Sequence, residues 1–183
     1  MIDDALLSMT RESLLARAQD VQKVKLGPRL DRTLALKEIR RDVANDGISG
    51  WLSDEVWPYP KSQPTLYVIR AGDAETATRL MAELQNTEDR DFACAKVNDA
   101  TGGSNVLYVG SSEGIRKRLR EHLWRASTST YAMHLHRWCK VTEGEVTVSI
   151  RPILQCTDRA VRQDLEDTLW RSLSPRLGKF GGK

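Results

Sequence analysis

Arg118 and His122 stand four residues apart, one helical turn, so they share a face beside the apolar stripe Ile115, Leu119 and Leu123. Such a pair projects from the edge of a core without being sealed inside it. Glu166 lies next to Leu165 and four residues before Trp170, so it flanks a second apolar stripe and can reach the same groove. Tyr108 lies in a short apolar run that ends in Tyr108-Val109-Gly110. The segment around the first pair is basic. Between Ser111 and Lys140, seven Lys and Arg oppose only Glu113 and Glu121, a net +5 that exceeds the +3 of the whole chain. The same window holds all three histidines, His122, His134 and His136. A concentration of positive charge of this kind is the electrostatic footprint of a protein that binds phosphate backbones.

The chain that must position these groups has 183 residues, 40% hydrophobic and 29% charged, the profile of a globular protein rather than a disordered or fibrous one. At this size roughly 70% of the unfolded surface can be buried, so neither disulfides nor a structural metal is required. Cys94, Cys139 and Cys156 show no C-x-x-C spacing, and the N-terminus lacks a charged-then-apolar leader pattern, which points to a reducing cytoplasm. No apolar run approaches the roughly 18 residues of a membrane span, so no membrane is expected as a partner.

Residues 1–62 read as a helical N-terminal segment. Leu7, Leu14, Ala18 and Val21 mark a first helix ending near Gly27-Pro28, and Leu36, Ile39 and Val43 a second ending near Gly47. The proline-rich stretch from Pro58 to Pro64 then interrupts helical structure, and residues 63–183 read as a separate α/β domain. Thr65 to Arg70 suits a buried strand, and Asp73 caps a helix carrying Ala77, Leu80, Met81 and Leu84 inward. Phe92–Asn98 and Asn105–Gly110 are expected to form a β-hairpin around the turn residues Asp99 to Ser104. The basic helix follows from about Glu113. Glu145 to Ile153 alternates apolar and polar residues as a half-buried strand does. Thr157-Asp158 caps a last helix, packed through Val161, Leu165 and Leu169, that stops before Pro175.

Leu107-Tyr108-Val109-Gly110, with Arg118 ten residues after its tyrosine and His122 four further on, resembles the second motif and first core helix of the GIY-YIG nuclease family. Leu165-Glu166-Asp167-Thr168-Leu169-Trp170 is similar to the family's last helix. The resemblance covers roughly residues 91–178. It implies an α/β fold with a small GIY-YIG-like core of β-hairpin, helix, strand and helix, to which Thr65–Leu84 add an extra strand-helix unit and residues 1–62 a helical segment. It also implies a DNA endonuclease that hydrolyses phosphodiester bonds with a divalent metal, Mg²⁺ or Mn²⁺. In that reading Glu166 binds the metal, Arg118 neutralises the developing charge on the phosphate, Tyr108 positions or deprotonates the attacking water, and His122 assists proton transfer or binds phosphate. A free tyrosine ionises near pH 10, so acting as a base requires neighbouring positive charge from Arg118 or the metal.

The family's first motif should supply a second tyrosine on the strand before Tyr108. On the expected hairpin that place falls to Cys94; Tyr67 would supply the ring if its strand neighboured the hairpin, but reads as an ordinary buried tyrosine. Leu177-Gly178 stands where the family's C-terminal asparagine is expected. These departures leave a nucleic-acid-binding module that has lost cutting as the alternative, with a protein-interaction domain as a third class. His134, His136, Cys139 and Cys156 match no standard zinc spacing and read as core, as does Trp124. The N-terminal helices either grip the duplex, pair two copies in a homodimer or cap the core, and their pattern selects none of these.

Overall fold

The computed structural model describes residues 4–41, 48–87, 91–98, 103–155 and 158–181. In chain order the elements are α1 (Asp4–Lys23), β1 (Leu30–Ala35), α2 (Leu36–Arg41), α3 (Ile48–Trp51), β2 (Thr65–Ala71), α4 (Ala74–Gln85), β3 (Val106–Ser112), α5 (Ile115–Leu123), α6 (Leu135–Trp138), β4 (Glu145–Pro152) and α7 (Arg159–Leu173). The fold is mixed α/β. Its four strands form one antiparallel sheet in the order β1-β4-β2-β3.

β2 occupies the centre because its sequence is apolar on both faces: six of its seven residues are buried, as a strand flanked on both sides and covered on both faces requires. It pairs with β3 through Tyr67 opposite Gly110 and with β4 through Tyr67 opposite Ile150. This corrects the expected hairpin. Phe92–Asn98 is not the partner of β3; instead Cys94 bridges Ala132, Val97 bridges Leu177, and the Gly178 N–H donates to the Lys96 carbonyl at 2.8 Å. Ala93-Cys-Ala-Lys-Val-Asn98 is poor in the β-branched and aromatic residues that favour strands, whereas Thr65-Leu-Tyr-Val-Ile69 is rich in them. Most of the expected turn, 99–102, lies outside the described residues, as do Cys156, Thr157, Val43 and Gly47. The strand-helix unit of Thr65–Leu84 is therefore no appendage: its strand is the middle of the sheet.

A second correction concerns Leu30–Ala35, placed by the sequence reading within a helical segment. It is a strand, joined to β4 through Leu34 opposite Val146. Leu36 and Ile39 do face inward from α2, and with Leu52 and Trp57 they bury in the same core as Leu80 of α4 and Leu119 of α5. α1 behaves differently. None of its residues is buried, Leu7 and Leu14 included, and Arg17 ties it to Asp164 of α7 at 2.8 Å.

The helix signals hold where capping and periodicity agree. The Asp73 carboxylate accepts from the Thr76 N–H at 2.6 Å, and Ala77, Leu80, Met81 and Leu84 are buried. The Asp158 carboxylate accepts from the Ala160 N–H at 2.7 Å at the start of α7. α7 lies on the opposite face of the sheet from α4 and α5, with Leu169, Trp170 and Leu173 on Val68, Val106 and Val109. The segment after α7 returns along the open edge of β3, where the Arg176 and Leu177 N–H groups donate to the carbonyls of Val106 and Leu107 at 2.9 Å. That tail covers an edge which would otherwise expose unpaired backbone. No helix among the described residues is long and apolar enough to cross a membrane.

Candidate functional site

Side chains of a strand alternate between faces, so Tyr67 and Ile69 of β2 point to the α5 side while Leu66 and Val68 point to α7. Opposite Tyr67 stands Gly110. A Cβ there would come within 2.5 Å of the Tyr67 hydroxyl oxygen, so only glycine lets the ring lie across β3. Two residues earlier on the same face, Tyr108 places its ring parallel to that of Tyr67, with an interplanar angle of 8° and centroids 6.0 Å apart. The glycine of Tyr108-Val-Gly110 is thus a packing requirement of the neighbouring tyrosine.

α5 then brings Arg118 and His122 to the two phenols. His122 is completely buried, and its Nδ1 accepts from the Met133 N–H at 3.1 Å. A backbone N–H can only donate, so the ring proton resides on Nε2, which donates to the Tyr67 hydroxyl at 2.9 Å. Burial, with Arg118 and His134 nearby, holds the His122 pKa well below the usual imidazole range, so the ring is neutral at pH 7. Burial, reinforced by Tyr108, raises the Tyr67 pKa well above 10 and keeps it a phenol.

Arg118 is the hub. Nε donates to the Tyr67 hydroxyl at 3.3 Å, Nη1 to Glu121 at 3.0 Å, and Nη2 to the Tyr131 carbonyl at 2.9 Å and, more loosely, to the Tyr108 hydroxyl at 3.4 Å. Burial works against its charge, but the phenol oxygens and Glu121 more than offset this and raise its pKa. Four N–H groups aimed at protein oxygens fix the plane of the guanidinium before any ligand arrives.

Glu166 comes from the far side of β3, carried by α7. The Ser111 hydroxyl donates to its Oε2 at 2.6 Å, a bond made possible because Ser111 follows Gly110 on the strand and faces α7. Burial raises the Glu166 pKa against the lowering effect of Ser111, and neighbouring Asp167 adds to the rise. Tyr108, Arg118 and Glu166 line one groove of about 260 Å³ together with Lys96, Tyr131, Gly178 and Lys179. Gly178 adopts φ +110°, and a Cβ on it would press to 3.3 Å from the Tyr108 ring, so the tail crosses that ring closely.

Of the residues singled out from sequence, Tyr108, Arg118 and Glu166 share the groove. His122 does not reach it; it sits behind, sealed in the core and hydrogen-bonded to Tyr67. Three cationic side chains, Arg118, Lys96 and Lys179, line the groove with one carboxylate, Glu166. A single partly buried carboxylate held by a hydroxyl suits Mg²⁺ or Mn²⁺, which bind through one or two carboxylates plus water and substrate oxygens. It does not suit zinc, and no cluster of three or more His, Cys, Asp or Glu occurs among the described residues. His134 instead turns Nε2 to the Thr130 carbonyl at 2.8 Å, and the Cys139 thiol lies beside Arg40 at 3.8 Å.

Sequence reasoning missed Lys96, Lys179, Glu121 and Ser111; it weighed Tyr67 as a second ring for the site but favoured an ordinary buried tyrosine. The close approach of Tyr67 to Gly110 was hidden because the pairing of β2 with β3 spans a whole intervening helix. The chain matches no protein-family model, no curated protein and no solved structure.

Proposed function

We propose that the chain is a divalent-metal-dependent DNA endonuclease of the GIY-YIG type, a phosphodiester hydrolase. The observation that carries this reading is the convergence of Tyr108, Arg118 and Glu166, far apart in sequence, on one groove. The order of elements supports it too. Adjacent antiparallel strands carry Tyr67 and Tyr108, α5 carries Arg118 and His122, β4 follows, and α7 carries Glu166. Thr65-Leu-Tyr67 takes the place of the family's first motif, so the missing tyrosine is Tyr67 and not Cys94, with α4 inserted between strands that the family joins as a hairpin. The binding-only alternative drew on Cys94 and Gly178; it loses the first motive and keeps the second.

In this mechanism a cation on Glu166, when bound, offsets negative charge on the phosphate and on the leaving oxygen. Arg118 donates to the non-bridging oxygens; its long contact to Tyr108 is the one most readily exchanged for phosphate. Tyr108, which accepts from Arg118, orients the attacking water through its hydroxyl. Tyr67 and His122 hold Arg118 and the Tyr108 ring in place and keep water out beneath them. Lys96 and Lys179 draw the backbone of the substrate into the groove.

The reading is tested by plasmid nicking. The purified chain should convert supercoiled DNA to nicked circles in Mg²⁺ or Mn²⁺ and stop in EDTA. Salt-sensitive DNA binding with no nicking in either metal would overturn the nuclease and leave the binding module.

A further inference from the structure

The face of the sheet turned away from Tyr67 carries a cavity for which the nuclease reading has no use. Its floor is Leu66 and Val68 of β2, its wall Leu169 of α7, and its volume about 240 Å³. Three arginines line it. The register sets Val68 opposite Ser149 and Leu66 opposite Arg151, so polar groups of β4 stand beside the apolar floor. The Ser149 hydroxyl accepts from Arg29 Nη2 at 3.2 Å and from Arg70 Nη1 at 3.4 Å, so one oxygen holds two guanidiniums side by side. Arg151 donates from Nε to the Gly27 carbonyl at 3.1 Å. Gly27 is seated tightly: its N–H donates to the Pro152 carbonyl at 2.8 Å, and a Cβ would lie 2.5 Å from the Pro152 ring. The loop that delivers Arg29 is therefore built against β4 rather than loosely attached.

The charges do not balance. Asp31 pairs with Arg29 at 2.8 Å, and among the described residues no carboxylate lines the cavity itself, so three guanidiniums against Asp31 leave a net +2. Neither Arg70 nor Arg151 forms an ion pair among the described residues. Burial and the neighbouring Arg29 lower the Arg70 pKa against the opposing pull of Asp31, as expected where positive charges outnumber the carboxylate beside them. A phosphodiester brings a single negative charge and would leave half of this uncompensated. A phosphate monoester carries about −1.5 to −2 at pH 7 and matches it, with three forks for its oxygens. The cavity is smaller than the roughly 300–1,000 Å³ of sites for drug-sized ligands, and its floor is apolar, which suits one phosphate with a small apolar body.

We propose that Arg29, Arg70 and Arg151 form a second site, on the opposite face of the sheet from the groove, that binds a small phosphate monoester. The monoester is either free or the terminal phosphate of a nucleic-acid strand. This site stands independently of the nuclease reading.

Isothermal titration calorimetry with thymidine 5′-monophosphate tests it, using thymidine and inorganic phosphate as the matched fragments. The nucleotide should bind saturably and more tightly than either fragment. Arg70→Gln and Arg151→Gln, each checked for an unaltered melting curve, should weaken binding about tenfold or more, the loss of one charge-assisted hydrogen bond. Arg118→Gln, in the other groove, should leave the affinity unchanged. Competition by oligothymidylate bearing a 5′-phosphate, but not by its 5′-hydroxyl form, identifies a strand end as the source; competition by neither identifies a free ligand. Absence of saturable binding, thymidine or inorganic phosphate binding as tightly as the nucleotide, or loss in Arg118→Gln with none in Arg70→Gln and Arg151→Gln, would overturn the proposal.

Discussion

The geometry around Arg118 rests on two titratable side chains whose ionisation is set in opposite senses by burial. His122 is neutral because ionising it would place a second positive charge beside Arg118 in a dry core. Nitrogen-15 spectra of the free protein should show His122 as the Nε2–H tautomer at pH 6.5, with protonation only well below that pH; an imidazolium at pH 6.5 would contradict the arrangement. By linkage, the unfolded chain takes up this proton near pH 6.5 while the folded chain does not, so stability falls as pH drops from about 6.5. Glu166 has the reverse sign. Its folded pKa is raised, so the stability it contributes in the protonated form is lost as pH rises through that value. Glu166→Gln should therefore melt higher than wild type at pH 8 while failing to nick DNA. A lower melting temperature would show that the ionised carboxylate stabilises the fold. At this scale the sequence was informative about Tyr108, Arg118 and Glu166, because residue type and helical spacing are local properties. It offered Tyr67 as the second ring only on the condition that its strand neighbour that of Tyr108, because that role depends on what lies across the sheet from it.

Between elements, the contact that sets the site is Tyr67 over Gly110. Gly110→Ala forces the ring off β3, and the expected cost is about 1–3 kcal/mol, the usual range for overpacking. At roughly 2–4 °C per kcal/mol for a chain of this size, the melting temperature should fall by several degrees. Gly114→Ala, where an added Cβ meets nothing within 4 Å, should melt within a degree or two of wild type and serves as the control. Equal melting curves for the two variants would refute the packing argument. The same contact explains what was hard to read from the chain. Helices α4 and α7 announce themselves through caps and apolar spacing, and α5, which has no side-chain cap, through spacing alone; both signals are local. Strand pairing does not: β3 has a nearby segment, Phe92–Asn98, and a distant one, Thr65–Ala71, and the distant one wins through its apolar, β-branched composition. Leu30–Ala35 was hidden differently. Its apolar residues run directly into the helical stripe of Leu36 and Ile39, and periodicity alone did not divide strand from helix.

For the molecule as a whole, the basic window from Ser111 to Lys140 overstates the charge available to DNA. Arg116 pairs with Asp54 at 2.7 Å, Arg118 with Glu121 at 3.0 Å and Arg137 with Asp91 at 3.6 Å. Seven independent phosphate contacts would give a log–log salt slope of about −6. Lys117 also lies 3.9 Å from Glu121, so four of the seven are paired within the protein, and DNA binding measured in Ca²⁺ between low and moderate salt should show a clearly shallower slope. A slope of about −6 or steeper would mean that these internal pairs open on binding. The two sheet faces carry separate positive sites, the groove around Arg118 and the cavity around Arg70, and the +3 net charge conceals both. The central claim is that Arg118 and Glu166 act on one scissile phosphate. Nicking rates for Arg118→Ala, Glu166→Ala and the double variant in Mg²⁺ test this most directly. Each single change should slow cutting by about 10²–10³-fold, and the double variant should be little slower than the worse single, because parts of one constellation fail together. Wild-type rates in Glu166→Ala, or losses that multiply in the double variant, would contradict it.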